Sequence, residues 1–164
     1  MIRVATRADI PGLARVHVQS WLETYSGLVP QEILDAITLE SRVLQWERTF
    51  DQPYGIFVAL GDEGLIGFAS CGVSRDVRFE AELFTVYLLK THQGRGIGRE
   101  LWAAALDFMQ ARGWKTFVLW VLESNPTRDF YEHLGGVLVD RKVEVMHGTE
   151  LLEVAYSFNL KTRG

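Results

Sequence analysis

Cysteine is nearly absent from this chain: Cys71 stands alone among 164 residues. That count excludes an intramolecular disulfide and any multi-cysteine metal site. Cys71 sits among the small apolar residues of a predicted strand and reads as an inert core thiol. Proline occurs only four times, and no linker or low-complexity tract interrupts the chain. No apolar run approaches the ~18 residues that a bilayer-spanning helix requires. The opening residues, Met1 to Asp9, hold no apolar signal core, which predicts a cytoplasmic protein rather than a secreted one. Basic tracts are also missing. With a formal net charge of −4, neither nucleic acid nor a membrane surface is an expected partner. The four histidines, His17, His92, His133 and His147, show no His-x-x-x-His spacing, so no metal is expected.

What is present is apolar and aromatic, 48% and 12% of the residues, enough for one globular domain over 1–164. The most informative stretch is Glu82–Leu106. It begins as an apolar run through Phe84, Val86, Tyr87, Leu88 and Leu89 and breaks at Lys90-Thr91-His92. Three glycines then fall within five residues, Gly94-Arg95-Gly96-Ile97-Gly98, and Leu101, Trp102, Ala105 and Met109 recur at helical spacing. A strand, a glycine-rich turn and a helix N-terminus form an anion site, because the first N–H groups of a helix lack internal partners. Glycine allows the backbone to approach a phosphate closely. A P-loop would need Lys-Ser/Thr where Arg99-Glu100 stands, and the dinucleotide fingerprint would need glycine at Arg99. Both therefore fail.

Periodicity predicts an opening strand at Ile2–Val4 and a helix capped by Asp9, which carries His17, Trp21 and Tyr25 on one face. Those three are either a core stripe or the lining of a substrate cleft. A second helical region, Gln31–Phe50, is predicted to break near Thr38. A hairpin follows, Gly55–Leu60 with Leu65–Val73. After the glycine-loop helix come a buried strand at Thr116–Leu122, a short helix near Thr127–Leu134, and two strands near Val137–Val145 and Leu151–Leu160. The fold class is α/β with a mixed sheet.

A second motif lies about 30 residues beyond the loop, Asn125-Pro126-Thr127-Arg128-Asp129-Phe130-Tyr131-Glu132-His133-Leu134-Gly135. With Gln93-x-x-Gly96-x-Gly98 upstream, it resembles the paired acyl-CoA motifs of the GCN5-related N-acetyltransferase (GNAT) superfamily. Ser20-Trp21, Tyr25, Gly27 and Pro30 resemble a signature near the start of small bacterial members. Arg128 departs from the family's usual alanine, and it is a candidate for reaching a CoA phosphate, the acceptor or solvent.

The resemblance implies a mostly antiparallel central sheet flanked by helices and direct acetyl transfer from acetyl-CoA to an amine. The acceptor would be a small molecule or a peptide amine, and a homodimer would be a usual assembly. It implies that backbone N–H groups of Gln93, Gly94, Arg95, Gly96, Gly98 and Arg99 hold the CoA pyrophosphate. Counting back seven and five residues from Gln93 gives Val86 for the acyl carbonyl and Leu88 for the pantetheine arm. Asn125 would hold that arm or order water by the thiol. Tyr131 takes the position of the general acid for the thiolate. Glu82, eleven residues before Gln93, takes that of the catalytic glutamate, with neighbouring Glu80, His17 and a water chain as alternatives for the base. Trp21 and Tyr25 would line the acceptor cleft. A member without catalysis, sensing acyl-CoA or serving as an interaction module, is the alternative.

Overall fold

A computed structural model describes residues 1–161; the last three residues of the predicted domain lie outside them. In chain order the elements are β1 (Ile2–Val4), a 3-10 turn (Arg7–Asp9), α1 (Ile10–Tyr25), α2 (Gln31–Ala36), α3 (Leu39–Phe50), β2 (Gly55–Gly61), β3 (Gly64–Val73) and β4 (Ala81–Leu88). A second 3-10 turn (Lys90–His92) leads into α4 (Ile97–Ala111), β5 (Thr116–Leu122), α5 (Arg128–His133), β6 (Val137–Met146) and β7 (Thr149–Asn159).

The seven strands form one sheet in the order β1-β2-β3-β4-β5-β7-β6. Every neighbouring pair is antiparallel except β4 with β5. This is the mixed, mostly antiparallel sheet that the resemblance implied. Helices cover both faces of β3, which explains its unbroken apolar run. Phe68 meets His17 of α1 and Trp46 of α3 on one face. On the other face the Cys71 thiol points to the Ala105 carbonyl of α4 at 3.8 Å, and burial pushes its pKa up to about 12, so the thiol is inert.

Local chemistry sets most boundaries. Thr38 ends the break between α2 and α3 by accepting a bond from the Ser41 N–H at 3.1 Å. Asp9 does not cap α1 as expected. Its carboxylate pairs with Arg3 at 2.7 Å and accepts from the Thr6 N–H at 2.8 Å, stapling the first strand to the turn before the helix. β6 and β7 meet through His147 and Gly148, both at positive φ, which is the backbone of a two-residue hairpin turn.

One irregularity positions everything that follows. β4 pairs with β5 only at Ala81↔Phe117 and Glu82↔Val118, and from Leu83 onward the two strands part. Near the point of parting, Phe84 is an extra residue in the pairing with β3, since Ser70 opposes Thr85 while Cys71 opposes Leu83. Such a bulge bends its strand and sharpens the twist. The central sheet therefore opens as a wedge toward the C-terminal end of β4.

Candidate active site

Leu89 donates its N–H to Ile66 on β3 at 2.9 Å. Backbone groups along a strand alternate in direction, so the N–H groups of Tyr87 and Thr85 also face β3. Those of Val86 and Leu88 then face the wedge, where β5 no longer pairs with them. The two residues counted back from Gln93 are thus the ones whose peptide groups point into the opening. Gln93 braces this edge, donating from Nε2 to the Leu88 carbonyl at 3.1 Å.

The glycine loop stands at the end of that strand. Gly94 and Gly96 have φ of 79° and 82°, a left-handed backbone that a residue with Cβ adopts at a cost. Gly96 is the N-cap of the 15-residue α4, with no side chain occupying the first-turn N–H groups. A Cβ built on Gly94, Gly96 or Gly98 would meet no atom within 4 Å, so the loop is an open cradle. Glu23, at the end of α1, holds the approach to the loop by accepting from the Lys90 N–H at 2.9 Å.

Two cavities meet at the wedge. The first, about 410 Å³, lies on the α4–α5 side and is lined by the loop glycines Gly94, Gly96 and Gly98, together with Gln93, Arg99 and Leu88. Arg95 is exposed and does not line it. The second, about 280 Å³, lies against α1 and α3, and His17, Trp21 and Tyr25 all line it. Val86, Tyr87, Asn125 and Tyr131 border both cavities and so form the waist between them. His17, Trp21 and Tyr25 prove to be core and cavity wall at once, 3%, 8% and 2% exposed.

Tyr131 is buried at that waist and stacked on Trp102 at 6.1 Å between centroids. Burial raises its pKa above the ordinary phenol value, with a Thr127 side-chain hydrogen bond acting weakly against it, so the group carries its proton at neutral pH. Asn125 is held by protein at both ends of its amide. Its Oδ1 accepts from the Thr127 N–H at 2.8 Å and the Thr127 hydroxyl at 2.6 Å, and its Nδ2 donates to the Tyr25 hydroxyl at 2.8 Å. Asn125 therefore fixes the start of α5 and the Tyr25 ring.

The candidate bases separate clearly. Glu80 precedes β4 and is exposed. Glu82 is 1% exposed and lines neither cavity. Arg75 surrounds its carboxylate through the backbone N–H at 3.1 Å, Nε at 3.3 Å and Nη2 at 2.5 Å. Its oxygens are occupied because a buried carboxylate needs such donors. His17 lies among Trp46, Phe68 and Tyr87, its Nδ1 without a partner. Burial, helped by the charge of Arg42, pushes its pKa down to about 3, leaving a neutral imidazole with little appetite for a proton. Arg128 reaches neither cavity: it donates to the Tyr156 hydroxyl at 2.9 Å and the Glu123 carbonyl at 3.2 Å, tying α5 to β7.

Sequence reasoning missed a second set. Arg42 and Gln45 of α3, Trp120 of β5, and Lys142, Glu144 and Glu153 of the β6–β7 hairpin all line the cavity beside α1. These residues belong to ordinary amphipathic elements and carry no local motif. Only the pairing of β5 with β7 brings the hairpin to the wedge. Among the described residues no cluster of His, Cys, Asp or Glu has the grouping to hold a metal, and no helix is long and apolar enough to cross a membrane.

Known proteins share this fold. The chain is 34% identical over 134 residues to the uncharacterized N-acetyltransferase YuaI of Bacillus subtilis, covering 80% of this chain and 76% of that one. A GCN5-related N-acetyltransferase crystal structure from Rhodopseudomonas palustris superposes with a TM-score of 0.81 at 18% identity, over 98% of this chain and 95% of the other. The structure of yncA, a putative acetyltransferase from Salmonella typhimurium with its cofactor acetyl-CoA, superposes with a TM-score of 0.73 at 22% identity, over 99% and 95%. The model of the acetyltransferase (GNAT) family matches residues 17–136, spanning both motifs and the strands that form the wedge. The chain belongs to the GNAT family and is an N-acetyltransferase.

Proposed function

We propose that the protein transfers the acetyl group of acetyl-CoA directly to a primary amine through the waist of the wedge. The observation that carries this reading is the shared border: Val86, Tyr87, Asn125 and Tyr131 line both the glycine-loop cavity and the one beside α1. The open cradle at Gly94, Gly96 and Gly98 fits a pyrophosphate, with the N-terminus of α4 supplying partial positive charge and Arg99 adding a full one. A comparable protein carries acetyl-CoA.

Acetyl-CoA supplies a thioester, and the chain supplies the environment for its cleavage. The Leu88 peptide in the wedge suits the pantetheine arm. The Val86 N–H suits the thioester oxygen as negative charge grows there, an interaction worth roughly 3–4 kcal/mol when well aimed. The amine nitrogen bonds to the acyl carbon as the carbon–sulfur bond breaks. Tyr131, protonated and at the waist, gives its proton to the departing thiolate.

Acetyl-CoA calorimetry together with a thiol-release assay on a panel of amines tests the reading. Binding with turnover is expected; an absence of acetyl-CoA binding overturns it. Binding without turnover on any small or peptide amine favours the sensor alternative. The exposed valines Val137, Val139, Val143 and Val145 lie on β6, a sheet edge, and support pairing of two copies there, which sedimentation would report as a dimer.

A further inference from the structure

The charges around the cavity beside α1 do not cancel locally. Arg75 is consumed by Glu82. On the hairpin wall Lys142 stands 3.9 Å from Glu144 and 3.7 Å from Glu153, two carboxylates for one ammonium. One negative charge is left over. Arg42, on α3, has a single side-chain hydrogen bond, from Nε to the Ser41 hydroxyl at 3.3 Å, and no carboxylate pairs with it among the described residues. One positive charge is left over there. A half-buried guanidinium without an anion is poorly placed, since burial alone already disfavours its charge. Beside it the buried His17 Nδ1 also lacks a partner.

The two unmatched charges belong to different halves of the sheet. α3 packs with α1 over the β3–β4 half, while Glu153 lies on β7 opposite Leu122, at the end of β5. Both residues line the cavity between those halves, so a single occupant can meet both charges.

We propose that the acceptor is a small zwitterion, whose primary ammonium sits at Glu153 and whose anionic group, a carboxylate or its phosphonate equivalent, sits at Arg42. The proposal rests on the acetyl-transfer reading above. Arg42 suits the anion because its two terminal nitrogens present parallel N–H donors to a planar carboxylate. Glu153 suits the ammonium because, among the described residues, its oxygens hold only the 3.7 Å contact with Lys142, whereas three donors already occupy Glu82. Its side chain is 16% exposed, reachable from the cavity and partly shielded from water.

The proton balance follows from that placement. One ammonium proton passes to the Glu153 carboxylate and on to solvent. The uncharged amine then forms the carbon–nitrogen bond while the carbon–sulfur bond breaks. Tyr131 protonates the thiolate and regains a proton from the nitrogen as the amide forms. Lys142 and Glu144 of β6, Arg75 of the β3–β4 connection and Tyr25 of α1 surround Glu153 electrostatically. Of these, burial and Glu144 favour its protonation while Lys142 and Arg75 oppose it, and the sum favours a stronger base than an exposed glutamate.

The test compares α-amino acids and aminoalkylphosphonates with their amides or decarboxylated amines, in wild type and in the R42Q, R42K and E153Q variants, with acetyl-CoA calorimetry on each. Wild type is expected to favour the zwitterion by roughly 10–100-fold in kcat/KM. R42Q brings that ratio toward one, and R42K restores part of it. E153Q lowers kcat for every amine and removes the acidic limb of the pH–rate profile. Turnover of the amides or decarboxylated amines in preference to zwitterions overturns the proposal, as does an unchanged ratio in R42Q or a complete lack of zwitterion turnover with acetyl-CoA still bound. Failure to bind acetyl-CoA at all overturns the underlying acetyl-transfer reading instead.

Discussion

Asn125 donates a hydrogen bond to the Tyr25 hydroxyl at 2.8 Å, joining the start of α5 to the end of α1 across the wedge. The same side chain accepts from the Thr127 N–H and hydroxyl, so one amide orders both walls of the waist. Asn125→Ala removes the side-chain turn that leads into α5 and strands a buried phenol. It is expected to destabilise the fold by roughly 1–3 kcal/mol in urea unfolding. A loss well below that range would show that water replaces the amide readily.

Tyr131→Phe keeps the ring stacked on Trp102 and deletes the hydroxyl, which is the proton donor and the partner of the Thr127 side chain. The turnover rate should fall by ~10–1000-fold, the usual scale of acid catalysis, with acetyl-CoA affinity retained. Steady-state kinetics alongside calorimetry separate the two quantities. An unchanged kcat on a good acceptor would assign the proton to another group.

Gly98 has ordinary helical backbone, and a Cβ there meets no protein atom within 4 Å. Gly98→Val should therefore leave folding stability within about 0.5 kcal/mol. Its branched side chain enters the cradle, so the Kd for acetyl-CoA should rise by roughly tenfold or more, about 1.4 kcal/mol. Tight binding in this variant would move the pyrophosphate away from the loop.

His17 links stability to pH. Its pKa is about 3 in the fold, against about 6.5 in an unfolded chain. Between those values the unfolded chain holds the extra proton, so the contribution is present above about pH 6.5 and is lost as the pH falls toward 3. The slope is at most ~1.4 kcal/mol per pH unit. His17→Phe, placed among Trp46, Phe68 and Tyr87, should give a flatter stability profile from pH 6.5 down to 4 in urea titrations. An identical slope in the two proteins would show that other groups carry the acid sensitivity.

Features written into short stretches of sequence are legible from those stretches alone. The hairpin around Gly61–Gly64, the break at Thr38 and the turn at His147-Gly148 depend on local backbone preferences, and each lies where the pattern indicates. The glycine loop is legible for the same reason: Gly94 and Gly96 are needed at positive φ immediately before a helix. Tyr131, on the helix that follows β5, lies beside that loop at the waist, so one short motif suffices to nominate it.

Roles set by what comes opposite a residue are not legible in this way. Nothing in the spacing of Glu82 shows that Arg75 closes over it, and nothing near Arg128 shows that Tyr156 receives it. Arg42 and Glu153 are about 110 positions apart in sequence and look like solvated residues of amphipathic elements. The sequence alone determined the strand, the loop and the helix that face a phosphate, because backbone geometry there is a property of neighbouring residues. Only the tertiary structure decided which carboxylate is neutralised and which charges remain for a substrate, because burial and electrostatic pairing depend on distant segments meeting across the β4–β5 wedge.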